Sequence, residues 1–176
     1  RLKEELSAEA SPLKREVTLT YITSRGPWYQ RSWKGVSRKS GGVATNIGIH
    51  LFDLLIWLFG EVEYQEIHVN DQFTCAGVLH LENATIPWFL SIDPALLPEK
   101  QRSEGQRTYR SITVDGQEIE FSGGFSDLHS EVYRRTLAGE GFGIELARPS
   151  LEVVHQIRQS EPVRPKSGAH PFLSAS

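Results

Sequence analysis

The strongest hydrophobic pattern in the chain is the run from Gly41 to Gly60, GGVATNIGIHLFDLLIWLFG. It is too long for an ordinary strand and stops at a glycine, so it predicts a helix from about Ala44 to Phe59. Ile47, Leu51, Leu54, Leu55 and Leu58 recur at helical spacing, and Ile49, Phe52, Ile56 and Phe59 cover much of the remaining circumference. A helix this apolar is expected to be buried nearly all round. Asn46, His50 and Asp53 interrupt it at i, i+4 and i+7, which places three polar side chains on one narrow stripe. A buried polar group without a partner costs about 1–3 kcal/mol. The stripe therefore either meets polar groups of the protein or lines a cavity that admits water and ligand. In the first case Asp53 holds the imidazole and Asn46 ties down a loop. In the second, a site near a helix N-terminus, just behind a Gly-Gly turn, favours an anionic ligand.

The other segments follow from their periods. Residues 1–10 read as a short helix closed by Ser11-Pro12, and 17–24 alternate as a strand with Val17, Leu19, Tyr21 and Thr23 on one side. Residues 25–42, RGPWYQRSWKGVSRKSGG, have no stable period and read as a loop. Arg25, Arg31 and Lys34 stand there beside Trp28, Tyr29 and Trp33, a mixture suited to a ligand with both a phosphate and a flat ring. The same residues equally suit a solvated loop whose tryptophans cover the core edge. Strands at 61–70, 73–82 and 85–92 make an antiparallel meander. A polar loop at 98–107 precedes strands at 109–114 and 117–121, joined by the hairpin turn Asp115-Gly116. Helices are predicted at 126–137 and 147–157, the latter with Pro149 in its first turn, and a loose tail from Pro162. His68, His80 and Cys75 read as structural residues of the meander.

Composition narrows the picture. A chain of 176 residues, 39% hydrophobic and 23% charged, is an ordinary globular domain, and a net charge of −3 gives no footprint for nucleic acid or an anionic membrane. The apolar run is too short and too polar to span a bilayer. One cysteine allows no disulfide framework and no cysteine zinc site, and suits a reducing, cytoplasmic setting. His50 and Asp53 have no third partner nearby for a metal. No dinucleotide, P-loop or nucleophile-elbow motif is present, and GEGFG at 139–143 follows a helix rather than a strand. The absence of Met predicts a chain that continues upstream.

The run SGG-x-x-x-N-x-G-I-H-x-x-D-x-x-x-W-L-F-G, Ser40 to Gly60, resembles the signature of the C-terminal domain of the glucose-fructose oxidoreductase / inositol dehydrogenase (Gfo/Idh/MocA) family. GPWYQRSWKG before it and ARPSLEVVHQIR near the end are similar to the branch that oxidises UDP-N-acetyl-glucosaminuronate at C3 in bacterial lipopolysaccharide sugar biosynthesis. The resemblance implies an α+β fold: an open, predominantly antiparallel sheet with helices on one face and homo-oligomer contacts on the other. It also implies a missing N-terminal Rossmann domain that binds NAD(H) and supplies a catalytic Lys, so that this chain has no cofactor site of its own and is inactive alone. Residues 1–16 are then the stub of that connection, 17–161 the substrate-binding and oligomerisation domain, and 162–176 a flexible tail. His50 becomes the acid/base or proton relay beside the sugar carbon, supported by Asp53. Asn46 stands where many relatives have Asp; it cannot act as a base and positions the sugar by hydrogen bonds. Lys34, Arg25 and Arg31 become candidates for the carboxylate or diphosphate, with Trp33 beside them. The rival readings are a non-catalytic assembly or sugar-binding module of the same fold, and a family dehydrogenase acting on an inositol or simple sugar.

Overall fold

A computed structural model describes residues 14–119, 128–139, 143–165 and 168–174. Its centre is a six-stranded sheet: β1 (Arg15–Thr23), β2 (Val62–Asn70), β3 (Thr74–Leu81), β4 (Ala84–Ser91), β5 (Thr108–Val114) and β6 (Gln117–Ile119), in the spatial order β2-β3-β4-β1-β5-β6. All neighbours are antiparallel except β1 and β4, which run parallel because the meander returns to pair with the strand that preceded it. The meander and the Asp115-Gly116 hairpin lie where the alternation puts them. Of the stub expected at 1–16, residues 1–13 lie outside the described residues and Arg15 and Glu16 already belong to β1; the return strand beyond Ile119 also lies outside them.

Around the sheet are α1 (Pro27–Arg31), α2 (Ser37–Ser40), α3 (Ile49–Phe59), α4 (Glu99–Ser103), α5 (Leu128–Leu137), α6 (Ile144–Gln159) and α7 (Pro171–Ser174). No described helix is long and apolar enough to cross a membrane. The segment read as an aperiodic loop is folded: α1, a 3-10 turn at Trp33–Gly35 and α2 follow one another closely. Such elements are too short to establish a period. Helix α6 begins at Ile144, earlier than expected, so Pro149 lies inside it rather than in its first turn. In α5, Tyr133 and Leu137 are exposed and Val132 nearly half so.

Helix α3 packs on one face of the sheet beside α6. Its buried stripe is Phe52, Leu55 and Phe59, continued by Ile47 in the preceding turn. Phe52 meets the ring of Trp88 on β4 edge to face, 5.2 Å between centres. The expectation of burial all round is corrected: Leu51, Leu54 and Leu58 are half-buried, and His50, Asp53 and Trp57 face outward. The sheet and α6 cover two sides of this helix, and a third side is left for a site.

The opposite sheet face carries a smaller core of Ile22, Ala76, Phe89 and Leu97, against which Phe172 and Leu173 pack. The expected loose tail is thereby corrected over 168–174. His170 is only 1% exposed. Its Nδ1 accepts from the backbone N–H of Phe172 at 3.2 Å, which leaves Nε2 as the protonated nitrogen that donates to Thr20 Oγ1 at 2.9 Å. The ring stacks on Phe89. Pro, Ser and Gly around this short anchor dilute its apolar signal below notice.

Candidate active site

The polar stripe begins with a backbone irregularity. After α2, Gly41 takes a left-handed conformation at φ 82°, where a Cβ would lie 2.4 Å from Thr45 Oγ1, and Gly42 follows at φ 78°. The chain then enters a wide π-type turn over Ala44–Gly48 before settling into α3. Side chains satisfy two carbonyls at this entrance: Thr45 Oγ1 donates to Gly41 O at 2.9 Å and Asn46 Nδ2 donates to Gly42 O at 2.8 Å. Turns of this kind recur at functional sites because they redirect the side chains on either side of them.

Beyond the turn, Asn46, His50 and Asp53 do share one wall, as their spacing predicts. With Trp57 they line a cleft of about 630 Å³. Ile47, Leu51 and Leu54 form its apolar lining. Neither imidazole nitrogen of His50 has a hydrogen-bond partner among the described residues, so Asp53 does not hold the ring. Asn46 commits an N–H to Gly42, the loop-tying role, and keeps its amide oxygen without a partner among the described residues. The stripe is thus anchored at one end and open along the rest.

Of the cations foreseen in the loop, the structure brings Arg25 into the cleft but not Arg31 or Lys34. The short helices turn those two outward with Trp33. The Lys34 ammonium lies 6.0 Å from the Trp28 ring centre and 5.9 Å from that of Trp33, and both rings are more than half exposed. Arg25 is different: its Nε is buried without a partner among the described residues, and its guanidinium lies 6.0 Å from the ring centre of the buried Tyr29. Burial raises the Tyr29 phenol pKa, an effect the neighbouring Arg25 charge opposes.

Nothing in the sequence pattern pointed to Arg110. It lines the cleft from β5, directly across from Tyr21 on β1, with its guanidinium carbon 4.8 Å above the Tyr21 ring centre. Alternation does put Tyr21 on the face with Val17 and Leu19. What it cannot show is that a strand about ninety residues later pairs with β1 in this register. Among the described residues, no group of three or more His, Cys, Asp or Glu could hold a metal ion.

An open mixed sheet, two helices on one face and a His-bearing stripe over a cleft agree with a comparison of sequences. Residues 11–92 match the family described as "Oxidoreductase family, C-terminal alpha/beta domain", GFO_IDH_MocA_C. Over these residues the chain is similar to the C-terminal domain of the Gfo/Idh/MocA oxidoreductases. Among solved structures it is similar to the WlbA (WbpB) dehydrogenase of Thermus thermophilus in complex with NAD and alpha-ketoglutarate, at 53% identity and a TM-score of 0.91 over 97% of this chain. The same dehydrogenase in complex with NAD and UDP-GlcNAcA matches at 53% identity and a TM-score of 0.90. The chain spans 55% of the length of that relative. The WlbA dehydrogenase of Bordetella pertussis, 17% identical with a TM-score of 0.63 over 94% of this chain, shares the fold.

Proposed function

We propose that this chain is the substrate-binding domain of an NAD-dependent dehydrogenase that oxidises the C3 hydroxyl of a UDP-linked sugar acid of the UDP-GlcNAcA type. The observation that carries the reading is the His50 imidazole, which stands on the cleft wall with both nitrogens free of partners among the described residues. A neutral imidazole in that position accepts a proton from a sugar hydroxyl and returns it to water. The Asn46 amide oxygen accepts from a neighbouring hydroxyl, and Ile47, Leu51 and Leu54 shelter the sugar ring from solvent. Arg25 supplies charge inside the cleft, while Arg31, Lys34 and Trp33 offer cations and a ring on the adjoining loop.

NAD is the oxidant in this reading, but the described residues do not fit it. The parallel neighbours β1 and β4 are joined through an antiparallel meander rather than a single crossover helix, and among the described residues no glycine-rich loop leads from a strand into a helix to cradle a pyrophosphate. The cofactor and the catalytic Lys are therefore assigned to residues beyond this chain, which alone is expected to be inactive. We further assign the enzyme to lipopolysaccharide sugar biosynthesis in the cytoplasm, where nucleotide sugars are made, and to a homo-oligomer assembled through the second sheet face. Exposed Tyr64 on β2 supports a protein contact there.

The test is replacement of His50 by Ala and by Gln in the full-length protein, assayed by NADH formation with UDP-GlcNAcA. The expected result is a fall in kcat of about 10²–10⁴-fold, with Tm unchanged because the side chain is exposed. Retained turnover with a lowered Tm would return the stripe to a structural role.

A further inference from the structure

The cleft holds a pair of cations that the proton chemistry does not use. Arg25 reaches it from the end of β1 and Arg110 from β5, and neither has an ion pair among the described residues. Asp53 is the one carboxylate among the described residues that line this space. Protein guanidinium groups are seldom left without an acceptor when part of the group is buried, because the lost hydration is then uncompensated. Here the Arg25 Nε is both buried and unpartnered. Arg110 lies over the Tyr21 ring, an arrangement that satisfies its face and leaves its N–H edges free.

The remaining cations are sorted by the surface they line, Arg110 being exposed and Arg25 half-buried at the cleft. Lys34 belongs to the outer loop with the exposed rings of Trp28 and Trp33, a surface that suits a base and its phosphates. Arg25 and Arg110 share an apolar-walled space with His50. A planar fork of N–H donors matches a planar carboxylate, two bonds to two oxygens, and the guanidinium edge above Tyr21 is such a fork. From this division we propose that Arg25 and Arg110 bind the carboxylate of the sugar acid, with Tyr21 as the platform that holds Arg110, and that they make the site select an acidic over a neutral sugar. The inference rests on the proposed function and deepens it, assigning the acid group to the cleft pair and the diphosphate to the adjoining loop.

The experiment compares UDP-GlcNAcA with UDP-GlcNAc, which has the same nucleotide and no carboxylate, by calorimetric titration of the full-length protein and its Arg110→Met, Arg25→Met and Arg110→Lys variants. Wild type is expected to favour the acid. Each Met variant is expected to lose about 10- to 100-fold in affinity for the acid and no more than about threefold for the neutral sugar. Arg110→Lys keeps the charge without the fork and is expected to recover only part of the loss. Circular dichroism melts establish that each variant is folded; should Arg110→Met be unfolded, Arg110→Lys and Arg25→Met carry the same comparison. Equal losses for both ligands would assign the pair to the diphosphate and overturn the proposal, as would a wild type that does not distinguish them. Failure of both UDP-sugars to bind wild type would overturn the proposed function itself.

Discussion

His170 and His50 stand on opposite faces of one sheet, one sealed against Phe89 and the other open to a cleft. Burial lowers the His170 pKa to about 4. Its neighbours, the Thr20 hydroxyl and the rings of Phe89 and Phe172, offer no charge to balance a proton. In the unfolded chain a histidine titrates near ~6.5, so between about pH 6.5 and 4 the unfolded state binds a proton that the native state does not. This contribution to stability is full above about pH 6.5 and is lost as the pH falls toward 4, by roughly 3 kcal/mol at most. His80, whose pKa is also lowered by burial, adds in the same sense. Urea unfolding at about pH 7 and about pH 5 measures the effect. Native protein is expected to lose stability over that interval, and His170→Gln to lose clearly less. Equal losses in the two chains would count against the assignment. His50 could be singled out in the sequence, because an apolar helix makes a polar intruder conspicuous. In a polar, Pro-rich tail nothing made His170 so.

Elements differ in how plainly the chain announces them. The meander β2-β3-β4 was legible because alternation and turn residues act over neighbouring positions, and no distant partner is needed to recognise them. The folded loop at 27–40 and the pairing of β1 with β5 were not, the first for brevity and the second for separation along the chain. Thus Asn46, His50 and Asp53 could be placed on one wall, whereas Arg110, which faces that wall from another element, could not. Within the meander, a Cβ at Gly77 on β3 would lie 2.1 Å from the Glu66 carbonyl oxygen on β2 and 3.0 Å from the Trp88 ring. The first obstacle is backbone and cannot move without parting the strands. Gly77→Ala is expected to cost about 2 kcal/mol or more, a fall in Tm of about 4–8 °C for a domain of this size. A melt within about one degree of wild type would mean that β2 and β3 yield more readily than their packing suggests.

At the scale of the molecule, two unequal cores lie on either side of the sheet. The larger is closed by α3 and α6, and the smaller depends on Leu97 and the strap of residues 170–173. Ending the chain after Pro165 removes the strap and uncovers Phe89 and Ile22, which are 2% and 0% exposed in its presence. The shortened chain is expected to lose about 2–4 kcal/mol and to bind a hydrophobic dye more strongly. A melt and dye titration matching the full chain would show that the strap contributes no net stability. The cleft lies on the opposite face, so the same truncation separates the integrity of the fold from the chemistry of the site.

The wide turn at Ala44–Gly48 carries a consequence for how such a site can be lost. A π-type turn holds one residue more than an α-helical turn, and each residue of a helix sweeps about 100° around the axis. Phe52 and Leu55 pin α3 to the sheet. Deleting one residue from the turn would therefore leave the docked segment in place and swing Asn46, with the glycine pair behind it, out of line with His50. A descendant with that small deletion would retain its core and its melting behaviour while the polar stripe along its cleft was broken.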